Sequence, residues 1–122
     1  GVPDAPGGLT AEVLDEGTSL SWNVPAYAGP GTLTYHLYRD GVKIWYGTAT
    51  SHLDANNLTS GETHSYRVTA SNDEGMGESS NAVTVEPFYA ENGGGGIIVL
   101  YLAIVTVIVV TAVVVLVYLR RR

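Results

Sequence analysis

Residues 97–119 constrain this chain more than any other stretch. They read IIVLYLAIVTVIVVTAVVVLVYL, 23 residues without a charge, a glycine or a proline. As a helix rising about 1.5 Å per residue, the run measures roughly 34 Å, enough to cross a hydrocarbon core of about 30 Å. Of its 23 positions, 15 are Val, Ile or Thr, residues that favour strands in water. Lipid offers no partner to an exposed backbone group, so a lone spanning segment has to be helical. Arg120, Arg121 and Arg122 follow directly. The sequence therefore predicts a transmembrane helix over 97–119, an arginine tail over 120–122 and one small domain in front of them. A buried core helix or strand is the alternative for the run.

Charge divides at the same place. The net charge is −6, but all 12 acids lie between Asp4 and Glu91, against Arg39, Lys43 and Arg67 alone. The part before the run is thus −9 and the part after it +3. Arginines beside a spanning helix mark its cytoplasmic side. The expected topology is a plasma-membrane protein with its N-terminal domain extracytoplasmic and its C-terminus cytoplasmic. Such a topology calls for a signal peptide, so one is expected to have been cleaved before Gly1. An acidic domain argues against nucleic acid as a partner and against docking on anionic lipid. The chain has no cysteine, which removes thiolate metal sites and thiol nucleophiles and leaves the domain to stand on its core.

The domain itself reads as strands. Leu9, Ala11 and Val13 alternate with Thr10 and Glu12 after Pro3 and Pro6. Leu20 and Trp22 share a face in Thr18 to Val24. Leu33, Tyr35 and Leu37 oppose Thr34, His36 and Tyr38. Asp40-Gly41 then joins this strand to Val42–Tyr46, the dipeptide of a tight hairpin in which both residues take positive φ. A short strand covers Ser51–Asp54. His64, Tyr66, Val68 and Ala70 alternate with Ser65, Arg67 and Thr69, and Asn81–Val85 closes the series. About seven strands with turns roughly every 8–12 residues, and no helical period before residue 97, predict an all-β, antiparallel, Ig-like sandwich over 1–86. A Gly-rich linker, 87–96 with Gly93–Gly96 at its end, leads to the helix.

The quoted residues resemble a fibronectin type III domain over about residues 3–86. The match rests on Pro3 and Pro6 before Leu9, Leu20-Ser21-Trp22 followed by Pro25, and Tyr35-His36-Leu37-Tyr38-Arg39-Asp40-Gly41. It continues through Leu58-Thr59-Ser60-Gly61, Tyr66-Arg67-Val68-Thr69-Ala70-Ser71-Asn72, Gly75, Gly77 and Ser80. The family usually has a tyrosine six residues after the position of Leu58, bonded back to the turn; here His64 stands there. The resemblance implies a core of Trp22, Tyr35, Leu37, Leu58, Tyr66 and Val68, and a role in binding rather than catalysis.

The motifs agree with a non-catalytic protein. No serine, histidine and acid form a recognisable triad, and nothing resembles a phosphate loop, so no enzyme activity, cofactor, metal or small-molecule substrate is expected. His36, His52 and His64 have no metal-ligand spacing. The acidic loop Ser71–Glu78 reads as a solvated hairpin tip rather than a calcium loop. Asn57-Leu58-Thr59 is an N-glycosylation triplet, which makes Asn57 a candidate modification site. Tyr27, Tyr38, Trp45 and Tyr46 are candidate partner contacts, against ordinary packing of a hairpin on its neighbours. Phe88 and Tyr89 are placed near the headgroups or a neighbouring protein. Within the run, Ala103 and Thr106 form a small-residue patch fit for a neighbouring helix.

Three functions compete at this level. The favoured one is an accessory or structural subunit of a larger membrane complex, its partners the lipid bilayer and other membrane subunits. The second is a free cell-surface adhesion or receptor-like module, which an arginine tail of three residues disfavours. The third is a substrate of a surface-anchoring transpeptidase, for which no sorting motif precedes the run.

Overall fold

A computed structural model describes residues 1–14, 16–55, 62–91, 97–105 and 114–116. Ten strands appear in chain order: β1 (Gly7–Leu14), β2 (Gly17–Asn23), β3 (Thr34–Arg39), β4 (Val42–Gly47), β5 (Ser51–Asp54), β6 (His64–Asn72), β7 (Gly75–Met76), β8 (Val83–Glu91), β9 (Ile97–Val105) and β10 (Val114–Leu116). They form two antiparallel sheets. The smaller has the order β1-β2-β5; the larger runs β10-β9-β8-β6-β3-β4, with β7 paired to β6.

Apolar alternation decides which faces meet. Leu9, Leu20, Trp22, Tyr35, Leu37, Tyr66, Val68, Ala70, Val83 and Val85 are buried in one cluster between the sheets. Five of the six residues expected in the core are there; Leu58 lies outside the described residues. Trp22 and Tyr35 meet edge-on, with ring centroids 5.6 Å apart, a geometry in which the positive edge of one ring meets the negative face of the other. The Asp40-Gly41 turn takes the expected form, with φ of 53° and 83°. Gly17 at the β1–β2 turn has φ 146°, and a side chain there would collide with the Asp54 carbonyl, so only glycine suits the position.

One bulge shapes the edge of the larger sheet. Leu37 faces Trp45, yet the next pair along is Tyr38 with Lys43, which leaves Ile44 as an extra residue in β4. Ile44 and Trp45 then both pack against the core, while Lys43 and Tyr46 are both left to the outer face. Plain alternation would have divided these four residues differently.

The expected boundary at residue 86 is not where the strand ends. β8 continues to Glu91, and β6 pairs with it only over Val83–Val85, so residues 86–91 of β8 pair with β9 alone. The first nine residues of the apolar run are strand β9 in place of the expected helix, matched to β8 from Val83↔Val105 to Glu91↔Ile97. Ala103 faces Val85 and is buried in the core, where β9 also packs along β1. The physical reason lies in the composition already noted: β-branched residues suit a pleated strand, and the edge of β8 supplies backbone partners that lipid lacks. Among the described residues no helix is long and apolar enough to cross a membrane.

Candidate functional site

The side chains with most to offer a partner lie on the outer face of the larger sheet. Register places them in rows across β4, β3 and β6. Lys43 and Arg67 flank Tyr38 on either side. One row on, Tyr46 and Thr69 flank His36; beyond that, Thr34 pairs with Ser71, which pairs with Met76. Within a strand, same-face rows are about 7 Å apart, and neighbouring strands are separated by about 4.8 Å.

Short contacts tie the rows together. Tyr46 is 69% exposed, its ring stacked on His36 at 6.4 Å between centroids and 23° between planes. The Lys43 ammonium sits 5.9 Å from the Tyr46 ring centre, within cation–π range. His36 Nε2 is 2.8 Å from Ser71 Oγ, and the Tyr38 hydroxyl points to Met76 Sδ at 3.8 Å. Burial, helped by the Lys43 charge, holds the His36 imidazole below its ordinary pKa. Two polar atoms at the middle of this face have no hydrogen-bond partner among the described residues: His36 Nδ1 and the hydroxyl of its cross-strand neighbour Thr69, itself 8% exposed.

The sequence-flagged residues fall in different places. Tyr38 and Tyr46 join the outer face. Trp45 does not: its ring stacks on His52 at 4.8 Å and tilts against Trp22 at 5.9 Å, closing the edge of the core between β4 and β5. Tyr27 is 46% exposed on its own loop, its hydroxyl 3.2 Å from the Gly1 amine. The backbone of Phe88 and Tyr89 lies in β8 where only β9 pairs with it. Ala103, expected to face a neighbouring helix, is buried in the sandwich. Asn57 and Thr106 lie outside the described residues. Lys43, His36, Arg67 and Thr69 were not among the flagged residues; the signal that would have found them is cross-strand register, which a single strand pattern does not contain.

The histidines are structural in different ways. His64 stands opposite Val85 at the start of β6, mostly buried, and its imidazole reaches the β3–β4 turn. Its Nδ1 lies 2.6 Å from Asp40 Oδ2, and Asp40 Oδ1 accepts the Ser65 N–H at 2.9 Å, so the β3–β4 turn is fastened to the start of β6. Burial pushes the Asp40 carboxyl up, but the hydrogen bonds from His64 and Ser65 outweigh it and hold the group below the ordinary range. Among the described residues no cluster of His, Asp and Glu could hold a metal ion.

Comparison with known proteins agrees with this architecture. No protein-family model matches the chain. Its fold is similar to that of titin domains A168–A170, with TM-score 0.58 and 24% identity over 66% of this chain and 30% of that one. It is also similar to the titin kinase with its flanking domains, at TM-score 0.59 and 14% identity over 85% and 30% of the two chains. The twitchin kinase region from C. elegans gives 0.53 and 21%, over 78% and 20%. The domain is fibronectin type III-like in fold. In sequence, the chain is 42% identical over 67 residues to a poly(3-hydroxybutyrate) depolymerase of Ralstonia pickettii. It is 41% identical over 69 residues to chitinase C of Streptomyces lividans. Those matches take in 54% and 56% of this chain but only 13% and 11% of the enzymes. The chain therefore spans about a tenth of the length of the curated relatives it matches.

Proposed function

We propose that this chain is a non-catalytic, membrane-anchored recognition module, an accessory subunit whose fibronectin type III-like domain makes the extracytoplasmic contacts of a larger membrane assembly. The observation that carries the reading is the uncharged run 97–119 ending in Arg120–Arg122. In a bilayer there is no strand edge to pair with, and the run closes its own backbone bonds as a helix. The pairing supports this: past Val85 the ribbon of β8, β9 and β10 has lost β6 as a neighbour, and lipid is a better solvent than water for the uncharged sequence of 97–119.

A second reading is a free surface module that touches extracellular polymer. The relatives favour it, since both are named for enzymes that act on polymers and the similarity falls in a small part of each.

The test is purification from native membranes in mild detergent, with protease protection of the reconstituted chain. Stoichiometric recovery of multi-spanning proteins, with the domain digested from outside and the run protected, is the expected result. A chain that leaves the membrane with carbonate or salt sinks the anchor. A monomer with an intact anchor sinks the subunit role and leaves the surface module.

A further inference from the structure

We infer that the outer face of the larger sheet is a docking site for an acidic polysaccharide, with sugar carboxylates meeting Lys43 and Arg67 and a sugar ring lying on Tyr46. The inference concerns the domain's surface and does not depend on the anchor.

Local charge complementarity is the first argument, set against a domain whose net charge repels polyanions. The domain and its linker are −9, and their three Lys and Arg residues are Arg39, Lys43 and Arg67. Arg39 is committed to Asp54. The other two stand on one face, each directly opposite Tyr38. Arg67 donates to the Ser80 carbonyl at 3.2 Å through one nitrogen, and a planar guanidinium has further N–H groups suited to a carboxylate. Three of the acids near the face are occupied or displaced, while Glu78 stands exposed beside β6 between Gly77 and Ser80. Asp40 is turned to His64 and Ser65, Glu74 pairs with the Gly1 amine, and Glu86 lies on β8 past the end of β6.

Shape is the second argument. An extended peptide binds a sheet at an edge, through its backbone. Here the face is offered, where backbone groups are already paired, and the adjacent β4 edge is interrupted by the bulge at Ile44 and carries Lys43, both of which discourage strand addition. A chain-like ligand on such a surface has to be held by side chains: flat rings for the apolar face of a pyranose and cations for its charge. Tyr46 supplies a ring that is 69% exposed, stacked on His36 and 5.9 Å from the Lys43 ammonium.

Calorimetric titration of the full chain tests this, with polygalacturonate, dextran and poly-L-glutamate as probes. Polygalacturonate is expected to bind, more weakly as salt rises, and dextran to give no heat. Poly-L-glutamate is expected to bind at least about tenfold more weakly, because it has charge without a ring to stack. Tyr46→Ala should lower polygalacturonate affinity about tenfold, and Lys43→Gln with Arg67→Gln should abolish it. Thermal melts of these variants check that the fold is kept; the exposed Tyr46→Ala serves if the double variant unfolds. No binding of polygalacturonate, binding unchanged in Tyr46→Ala, or equal binding of poly-L-glutamate would each overturn the proposal, the last in favour of an acidic protein partner.

Discussion

Arg39 and Asp54 join the two sheets: one guanidinium nitrogen of Arg39, on β3, donates to both carboxylate oxygens of Asp54, on β5, at 2.9 and 2.8 Å. The Tyr66 hydroxyl on β6 donates to the same carboxylate at 2.7 Å. Asp54 is 5% exposed, so its charge is held inside the protein by these donors. The pair also holds the Arg39 guanidinium above its ordinary pKa, chiefly through the hydrogen bond to Asp54.

Removing the acceptor should be costly. Asp54→Ala leaves the Tyr66 hydroxyl and the Arg39 guanidinium without their acceptor, and is expected to lower unfolding free energy by about 3 kcal/mol in urea titrations. Tyr66→Phe removes one donor and is expected to cost about 1 kcal/mol. A loss as small for Asp54→Ala as for Tyr66→Phe would mean that the inter-sheet clamp contributes little.

The bulge in β4 predicts opposite roles for neighbouring tryptophan and tyrosine. Trp45→Ala opens the core edge against Trp22 and His52, and should destabilise the domain by about 3 kcal/mol. Tyr46→Ala should change stability by less than about 0.5 kcal/mol, since its ring is largely in solvent. Chemical denaturation of the two variants decides the matter, and equal losses would contradict the register described here.

Stability should fall in two steps on acidification. His36 and His52 are both held below the ordinary imidazole pKa, chiefly by burial, with Lys43 adding to the effect at His36 and Asp54 opposing it at His52. The unfolded chain takes up these protons at about pH 6.5, before the folded chain does, so stability is complete above that value and declines as pH falls through the folded pKa values. Asp40 is depressed as well, and its contribution is present above about pH 3.9 and lost below it. In melting curves against pH, His36→Gln with His52→Gln should flatten the first step, and Asp40→Asn the second.

Ala103 separates the two environments of the apolar run. Where β9 is docked, Ala103→Leu forces extra volume beside Val85 and should cost about 2 kcal/mol. In a bilayer helix the same change faces lipid or a loose neighbour. Domain unfolding of the variant in nanodiscs should therefore match that of the parent chain. A loss in nanodiscs equal to that in lipid-free buffer would show that β9 stays docked.

Much of the sandwich was legible in the chain itself. Period-two alternation placed β1 to β6 to within a residue or two at most ends, and Asp40-Gly41 named its turn, because these features depend on neighbours along the strand. The aromatic face was only half legible. Tyr38 and Tyr46 stood out as exposed aromatics, but their company of Lys43, His36, Arg67 and Thr69 depends on cross-strand register. His64, on the core-facing phase of β6, also meets Asp40 at a turn 24 residues away, a contact that strand phase does not contain.

The sequence by itself determined an antiparallel β domain with a defined core, and an uncharged run too apolar to remain in water without cover. Tertiary structure decided where that cover comes from and which side chains share a face. Alternation is a property of one strand, whereas a bulge, a register or an edge waiting for a partner is a property of two. One extra residue at Ile44 turns Trp45 inward and brings Lys43 and Tyr46 together outside, because a pleated strand has only two faces and an insertion exchanges them.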